Sequence, residues 1–313
     1  MCPLLSEKRR LRQDSARLWG ETSMKRMMLL LCLAALIVPA AAQHFQQVTG
    51  FTGSMLQVAA GRSEVWGVNT TGQVFRFTGT KFASVPGTLN RIVVGGGTLS
   101  QKDEIWGWDD SGNVFHFDYG TKSFTHLPGS LQQIAVGEGD IDTCHPYEVW
   151  GINFNDTIFR YNYCTNKFEQ TFGTLVQVAT AGGGVWGVNG AQQLYAFNFS
   201  TGQFQYAGVN GLISLAADNN DVWALNASGV TFSVGAINGG YGYSNINGTL
   251  AQLAAGDDGI WGIDPNQKIY RFDPATGSFV SVSGFLTQIA VGSGAGVWGV
   301  APNSGEVFTF VRP

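Results

Sequence analysis

Seven polar and aromatic residues fall in two stretches that interrupt an otherwise regular sequence. Lys102 and Asp103 close the first stretch, and Glu138, Asp140, Asp142, His145 and Tyr147 occupy the second. Side chains of these types bind rather than react. Asp and Glu accept paired hydroxyls, and an exposed Tyr can stack on the apolar face of a sugar. Asp140 and Asp142 could also hold Ca²⁺ together with backbone oxygens, although acids on a surface loop more often simply face water. Catalysis is poorly provided for. The chain has four His, at positions 44, 116, 126 and 145, and no G-x-S-x-G elbow, H-E-x-x-H pair or Cys/His zinc spacing. His116 stands where sister segments carry Arg, so it reads as a strand residue rather than a base. Two carboxylates brought together by the fold would be the remaining catalytic route, and the chain reads as a non-enzyme.

The elements that must position these residues follow from a repeat. A β-branched or apolar residue followed by Trp, usually V-W-G or I-W-G, recurs at Trp66, Trp106, Trp150, Trp186, Trp223, Trp261 and Trp298, with spacings of 40, 44, 36, 37, 38 and 37. Before each Trp lies an apolar run such as Leu286-Thr287-Gln288-Ile289-Ala290. After it come a Gly/Asn/Asp turn, an alternating run such as Val74-Phe75-Arg76-Phe77, and an F-x-x-[VL]-x-G element such as Phe82 to Gly87. Each unit therefore holds four short strands separated by turn residues. Seven such units predict an all-β fold, a seven-bladed β-propeller. The period-two alternation of β-branched and aromatic residues excludes helical repeats. The seventh unit ends after its third strand, at Val307-Phe308-Thr309-Phe310, while Phe45 to Gly50 matches the missing fourth. An N-terminal strand should close the ring and remove two free sheet edges.

The repeated Trp is best explained as packing between neighbouring blades, and Trp108, two residues after Trp106 on the same strand face, is read likewise. Asn or Asp three residues after the Trp, at Asn69, Asp109, Asn153, Asn189, Asn226 and Asp264, is explained by turn chemistry in preference to repeated sugar contacts.

With the pattern LxQ[IV]AxG, VWGVN, [VI][FY]RF and FxxVxG repeated seven times over residues 44–313, the chain resembles the tectonin-repeat family and is similar to its fish-egg and horseshoe-crab lectins. That resemblance implies a secreted sugar-binding propeller. Its ligands would be N-acetylglucosamine-type glycans or bacterial lipopolysaccharide, in innate or egg defence. A propeller scaffold with a protein partner is the alternative.

Strand order narrows the binding face. With strands lettered A to D outward from the axis, A–B and C–D turns share one face, here called upper, and B–C and D–A connections the other. Units 2 and 3 carry additional A–B residues, about 96–103 and 138–147, on neighbouring blades of the upper face. Long loops on a rigid scaffold are where function concentrates. Cys144 lies in one of these loops and Cys164 in the C–D turn of the same unit, so a disulfide is plausible. Five N-x-[ST] sequons occur, at Asn69, Asn155, Asn198, Asn226 and Asn247, four of them towards the lower face.

Residues 24–42 read as a secretory signal: Lys25 and Arg26, an apolar stretch from Met27 to Val38, then Ala40-Ala41-Ala42, with cleavage before Gln43. Residues 1–23 read as an unstructured upstream extension, and residues 43–313 as a single propeller. The apolar stretch is about a dozen residues, short of the ~20 that span a bilayer. Residues 1–42 hold seven of the 18 Lys/Arg and three of the 22 Asp/Glu, leaving 11 basic against 19 acidic side chains, a net −8. So acidic a chain is a poor partner for nucleic acid or anionic lipid through bulk charge. Oligomerisation is compatible with this reading. The 43 Gly of the chain are expected to serve tight turns.

Overall fold

Inward-facing apolar residues at every second position, broken by Asx and Gly turns, dictate short antiparallel hairpins. The computed structural model describes residues 43–51, 53–181, 184–217, 222–237 and 240–312; the expected signal segment and the extension before it lie outside these. In the first blade β2 (Met55–Ala60), β3 (Val65–Asn69), β4 (Gln73–Phe77) and β5 (Phe82–Thr88) pair in sequence order. Blades two to six repeat this order over residues 91–130, 133–174, 177–210, 212–249 and 252–285. The seventh combines β26 (Gln288–Val291), β27 (Val297–Val300) and β28 (Val307–Val311) with β1 (His44–Gln47) from the other end of the chain. Phe45 lies opposite Phe310 in that antiparallel pair, so the ring is closed as the terminal half-units require.

The core sits between blades. Six of the repeat Trp side chains lean on an aromatic ring of the next blade, for example Trp66 on Phe117 at 4.6 Å, Trp150 on Phe197 at 4.6 Å, and Trp298 on Phe77 at 4.8 Å. The contacts are edge-on, a geometry that adds about 0.5–1.5 kcal/mol per pair beyond area burial. Trp108 is half-buried in the same kind of cluster, at the junction of blades 2 and 3.

The glycine after the Trp has a different task from the one expected. A Cβ at Gly151 would stand 2.4 Å from Leu131, and one at Gly187 2.2 Å from Leu175. In five blades the Leu that leads into the inner strand thus packs into the notch that the W-G glycine leaves, and Met55 does so in blade 1, so this part of the glycine content is core packing. Other glycines serve turns, as at Gly72 (φ 82°) and Gly112 (φ 82°) in the B–C turns.

The inner strands are also clamped to each other. The Gln177 side-chain amide donates to Leu215 O at 3.0 Å and accepts from Leu215 N at 2.9 Å, in the next blade. Gln57, Gln133 and Gln288 do the same to Ile92, Val178 and Val58. Arg91 and Ser214 hold this position in blades 2 and 5, and those two junctions lack the clamp.

Candidate functional site

Strand register builds a recurring polar group at the upper ends of three junctions. Residues two apart on a strand share a face, so Glu64 lies beside Trp66, and register sets Arg76 opposite that Trp. Glu64 accepts from Trp66 Nε1 at 3.2 Å and from Arg76 Nε at 2.7 Å, with Arg76 Nη2 on its other oxygen. This bond holds the Arg76 guanidinium above its already high range. Glu148, Trp150 and Arg160 repeat the arrangement in blade 3, with Glu148 1% exposed.

Blade 2 carries the variant. His116 Nε2 lies 2.8 Å from Glu104 and its ring stacks on Trp106 at 4.3 Å. The same Glu104 oxygen accepts from Tyr163 OH at 2.8 Å and Trp106 Nε1 at 3.1 Å. Burial pushes the Tyr163 phenol well above its ordinary range, and the adjacent Glu104 carboxylate adds to the shift. Tyr119 is raised by burial too, with Glu64 and Asp103 contributing.

The expected contact residues take unequal roles. Asp103 is 1% exposed, and its carboxylate accepts the backbone N–H groups of Arg62, Ser63 and Glu64 at 2.8–2.9 Å. It caps the A–B turn of blade 1 instead of facing a ligand, because the 96–103 loop folds back over its neighbour. Lys102 is exposed and sets its ammonium 4.6 Å from the Tyr119 ring centre. Tyr147 is half-buried and donates to Lys102 O at 3.1 Å.

The second stretch is a hairpin in place of the expected loop. β10 (Gln133–Asp142) and β11 (His145–Ile152) pair Glu138 with Tyr147 and Asp142 with His145, with an irregular register between Glu138 and Asp142. Asp140 lies on the same strand. His145 Nδ1 meets the Asp142 carboxylate at 2.9 and 3.0 Å, and Cys144 N donates to it at 2.7 Å. Partial burial opposes the shift, yet these bonds hold the Asp142 carboxyl below its usual range. The Cys144–Cys164 disulfide ties the hairpin tip to the C–D turn, closing a 20-residue separation. Among the described residues no group of three metal-ligating side chains converges.

Two clefts were not evident from the sequence. One, of about 580 Å³, opens on the upper face between blades 7 and 1; Ser63, Glu64, Arg76, Thr78, Phe77 and Trp298 line it. The other, of about 380 Å³, lies between blades 3 and 4, with Phe172, Thr174, Tyr195, Gln203 and Phe204 in its wall; Phe172 is 80% exposed. None of the seven expected residues lines either cleft. Phe172 alone carried a signal, as an apolar residue next to the turn glycine where blades 1 and 2 have Pro.

The six Asx residues after the Trp are spent on turns. Asp109 Oδ1 accepts from Ser111 N and Asn113 N, both at 2.9 Å, and the other five repeat the pattern two and four residues on. Asn69 is only 7% exposed and its Nδ2 donates to Gln73, whereas Asn155 is exposed.

A closed ring of seven four-stranded blades defines a seven-bladed β-propeller. The tectonin domain family matches residues 54–234 and 211–312, and the chain belongs to that family. Tectonin-1 of Physarum polycephalum is 34% identical over 65 residues, which cover 21% of this chain and 28% of that relative. The similarity thus spans less than a third of Tectonin-1. Among solved structures, the Cps50 (Swd1) propeller of Myceliophteria thermophila aligns with a TM-score of 0.68 at 9% identity, over 87% of this chain and 100% of that one. Prp20p of Saccharomyces cerevisiae aligns with a TM-score of 0.61 at 10% identity, over 83% of each chain. At such identities the likeness is one of fold alone. The described residues contain no helix long and apolar enough to cross a membrane.

Proposed function

We propose that this protein is a secreted glycan-binding lectin that recognises N-acetylglucosamine-type glycans or bacterial lipopolysaccharide on its upper face, in a defensive role. The observation that carries this reading is the cleft between blades 7 and 1. Its apolar floor is the buried Trp298 and half-buried Phe77, and the exposed Ser63 and Thr78 with the Glu64–Arg76 pair line the rest, at a volume of about 580 Å³. Apolar walls with a few convergent polar groups suit one or two sugar rings. Tectonin family membership supports the class, and the acidic charge balance speaks against nucleic acid.

The test is a glycan array with parallel lipopolysaccharide binding on folded, secreted protein. Binding competed by free N-acetylglucosamine is expected, and two empty results would end the lectin reading. Replacing residues 97–101 and the 138–147 hairpin tip with the short A–B turn of blade 4, while keeping Asp103 as the cap of the blade 1 turn, separates the upper-face surfaces. Retained affinity would assign binding to the blade 7–1 cleft; lost affinity would assign it to the blade 2–3 loops.

A protein-partner scaffold is the second reading. The structure reports of Prp20p name Gsp1p, histones and Kap60 as its binding partners. An empty array with a partner recovered at the upper face would favour it.

A further inference from the structure

Blade 6 repeats the polar group of blades 1 and 3 with one component missing. Arg271 lies opposite Trp261 in the same register as Arg76 opposite Trp66 and Arg160 opposite Trp150. Its guanidinium sits 5.7 Å from the indole centre, against 5.8 Å for Arg76 and 5.6 Å for Arg160. The cation is therefore held in the same pose three times. In blades 1 and 3 the residue two before the Trp is Glu64 or Glu148, whose carboxylate accepts from both Arg and indole. In blade 6 that residue is Gly259.

Without the acid, a donor is left without its acceptor. Arg271 Nε is shut off from solvent and has no acceptor among the described residues. A Cβ built at Gly259 would meet only Arg271 Nε and Trp261 Nε1 within 4 Å, each at 4.0 Å. The two groups that grip the glutamate in the other blades thus stand side by side here with no carboxylate between them. Trp261 Nε1 donates to Asp258 O at 3.2 Å meanwhile. Blades 4 and 7 carry neither part: Gly184 and Gly296 stand in place of the acid, and Ala196 and Thr309 in place of the cation. Blade 6 has kept the cation alone.

We propose that this notch binds the carboxylate of an acidic sugar, a uronic or sialic acid residue of a glycan. Blades 1 and 3 supply the template. A planar carboxylate bridges Arg Nε and Nη2 there while touching the indole, a fork geometry that suits carboxylate better than a spherical anion. Asp257 and Asp258 precede Gly259, and their negative charge works against a free anion. A ligand held at this site must therefore gain from contacts of its sugar ring as well. The inference rests on the lectin reading for its ligand class and extends it from neutral to acidic glycans.

The experiment compares glucuronic acid and N-acetylneuraminic acid with their methyl esters, on the full secreted chain, by calorimetry and ligand-detected NMR. An Arg fork paired with a carboxylate predicts that each acid binds about tenfold or more tightly than its ester. Arg271→Gln is expected to abolish that preference while leaving binding of N-acetylglucosamine unchanged. Acid and ester binding equally to the wild-type chain would overturn the proposal, whatever the variant does. Neutral glycans bound without any acid preference would remove this inference and leave the lectin reading standing. Acid preference with no neutral glycan bound would keep this site and remove only the N-acetylglucosamine specificity from the lectin reading.

Discussion

Asp103 Oδ2 accepts both the backbone N–H and the hydroxyl of Ser63, at 2.8 and 3.1 Å, across the junction of blades 1 and 2. Together with the N–H groups of Arg62 and Glu64, this makes one buried carboxylate the cap of a whole turn. Asp103→Ala leaves three part-buried backbone donors without their acceptor. Charge-assisted bonds of this kind and the unmet donors predict a loss of about 2–3 kcal/mol in urea unfolding. A loss below about 0.5 kcal/mol would mean that the turn holds itself.

The glutamine clamps predict opposite effects at two positions. Gln177→Ala removes two hydrogen bonds to Leu215 and should cost about 1–2 kcal/mol. Arg91 is exposed and stands where other blades have the clamp. Arg91→Gln should reach the inner strand of blade 3 and raise the unfolding midpoint by about 2–4 °C. A lowered midpoint would show that the blade 2–3 junction is spaced too widely for it.

Tyr163 predicts an alkaline weakness. Its phenol is raised above the ordinary value of 10.0 by burial and then by Glu104. A group whose folded-state pKa is raised contributes stability that is whole below its unfolded pKa and is lost as pH rises towards the folded value. Unfolding midpoints should therefore hold up to about pH 10 and fall above it. Tyr163→Phe should flatten that fall while lowering stability near neutrality, through loss of the bond to Glu104. An unchanged alkaline slope would show that Tyr163 ionises without opening the junction.

The sequons should not be equivalent on secreted protein. Asn155 is exposed in its turn, whereas Asn69 is buried with its Nδ2 committed to Gln73. Glycopeptide mapping is expected to find glycan at Asn155 and unmodified peptide at Asn69. Occupied Asn69 would mean that the first B–C turn folds without its Asx bonds.

Much of the propeller was legible because its signals are local. The Trp period counts the blades, and the half-units at the ends require β1 to pair with β28. Asn or Asp at Trp plus three bonds backbone two and four residues away, within reach of sequence reasoning. Cys144 and Cys164 sit on one blade, and strand order alone puts their turns on the same face.

The site was not legible in the same way. Trp298 and Arg76 share a cleft, and Gln288 clamps Val58, 230 residues apart, because the ring brings blade 7 against blade 1. Asp103 and Asp142 look alike as loop acids, yet one is sealed against a neighbouring blade and the other stands at a hairpin tip. The sequence determined by itself the blade number, the ring closure and the turn chemistry, since each depends on residues within one repeat or on the repeat count. Only the tertiary structure decided which polar groups are consumed and which are left without an acceptor. That outcome depends on how one blade's edge meets the next, and on residues supplied by a different repeat.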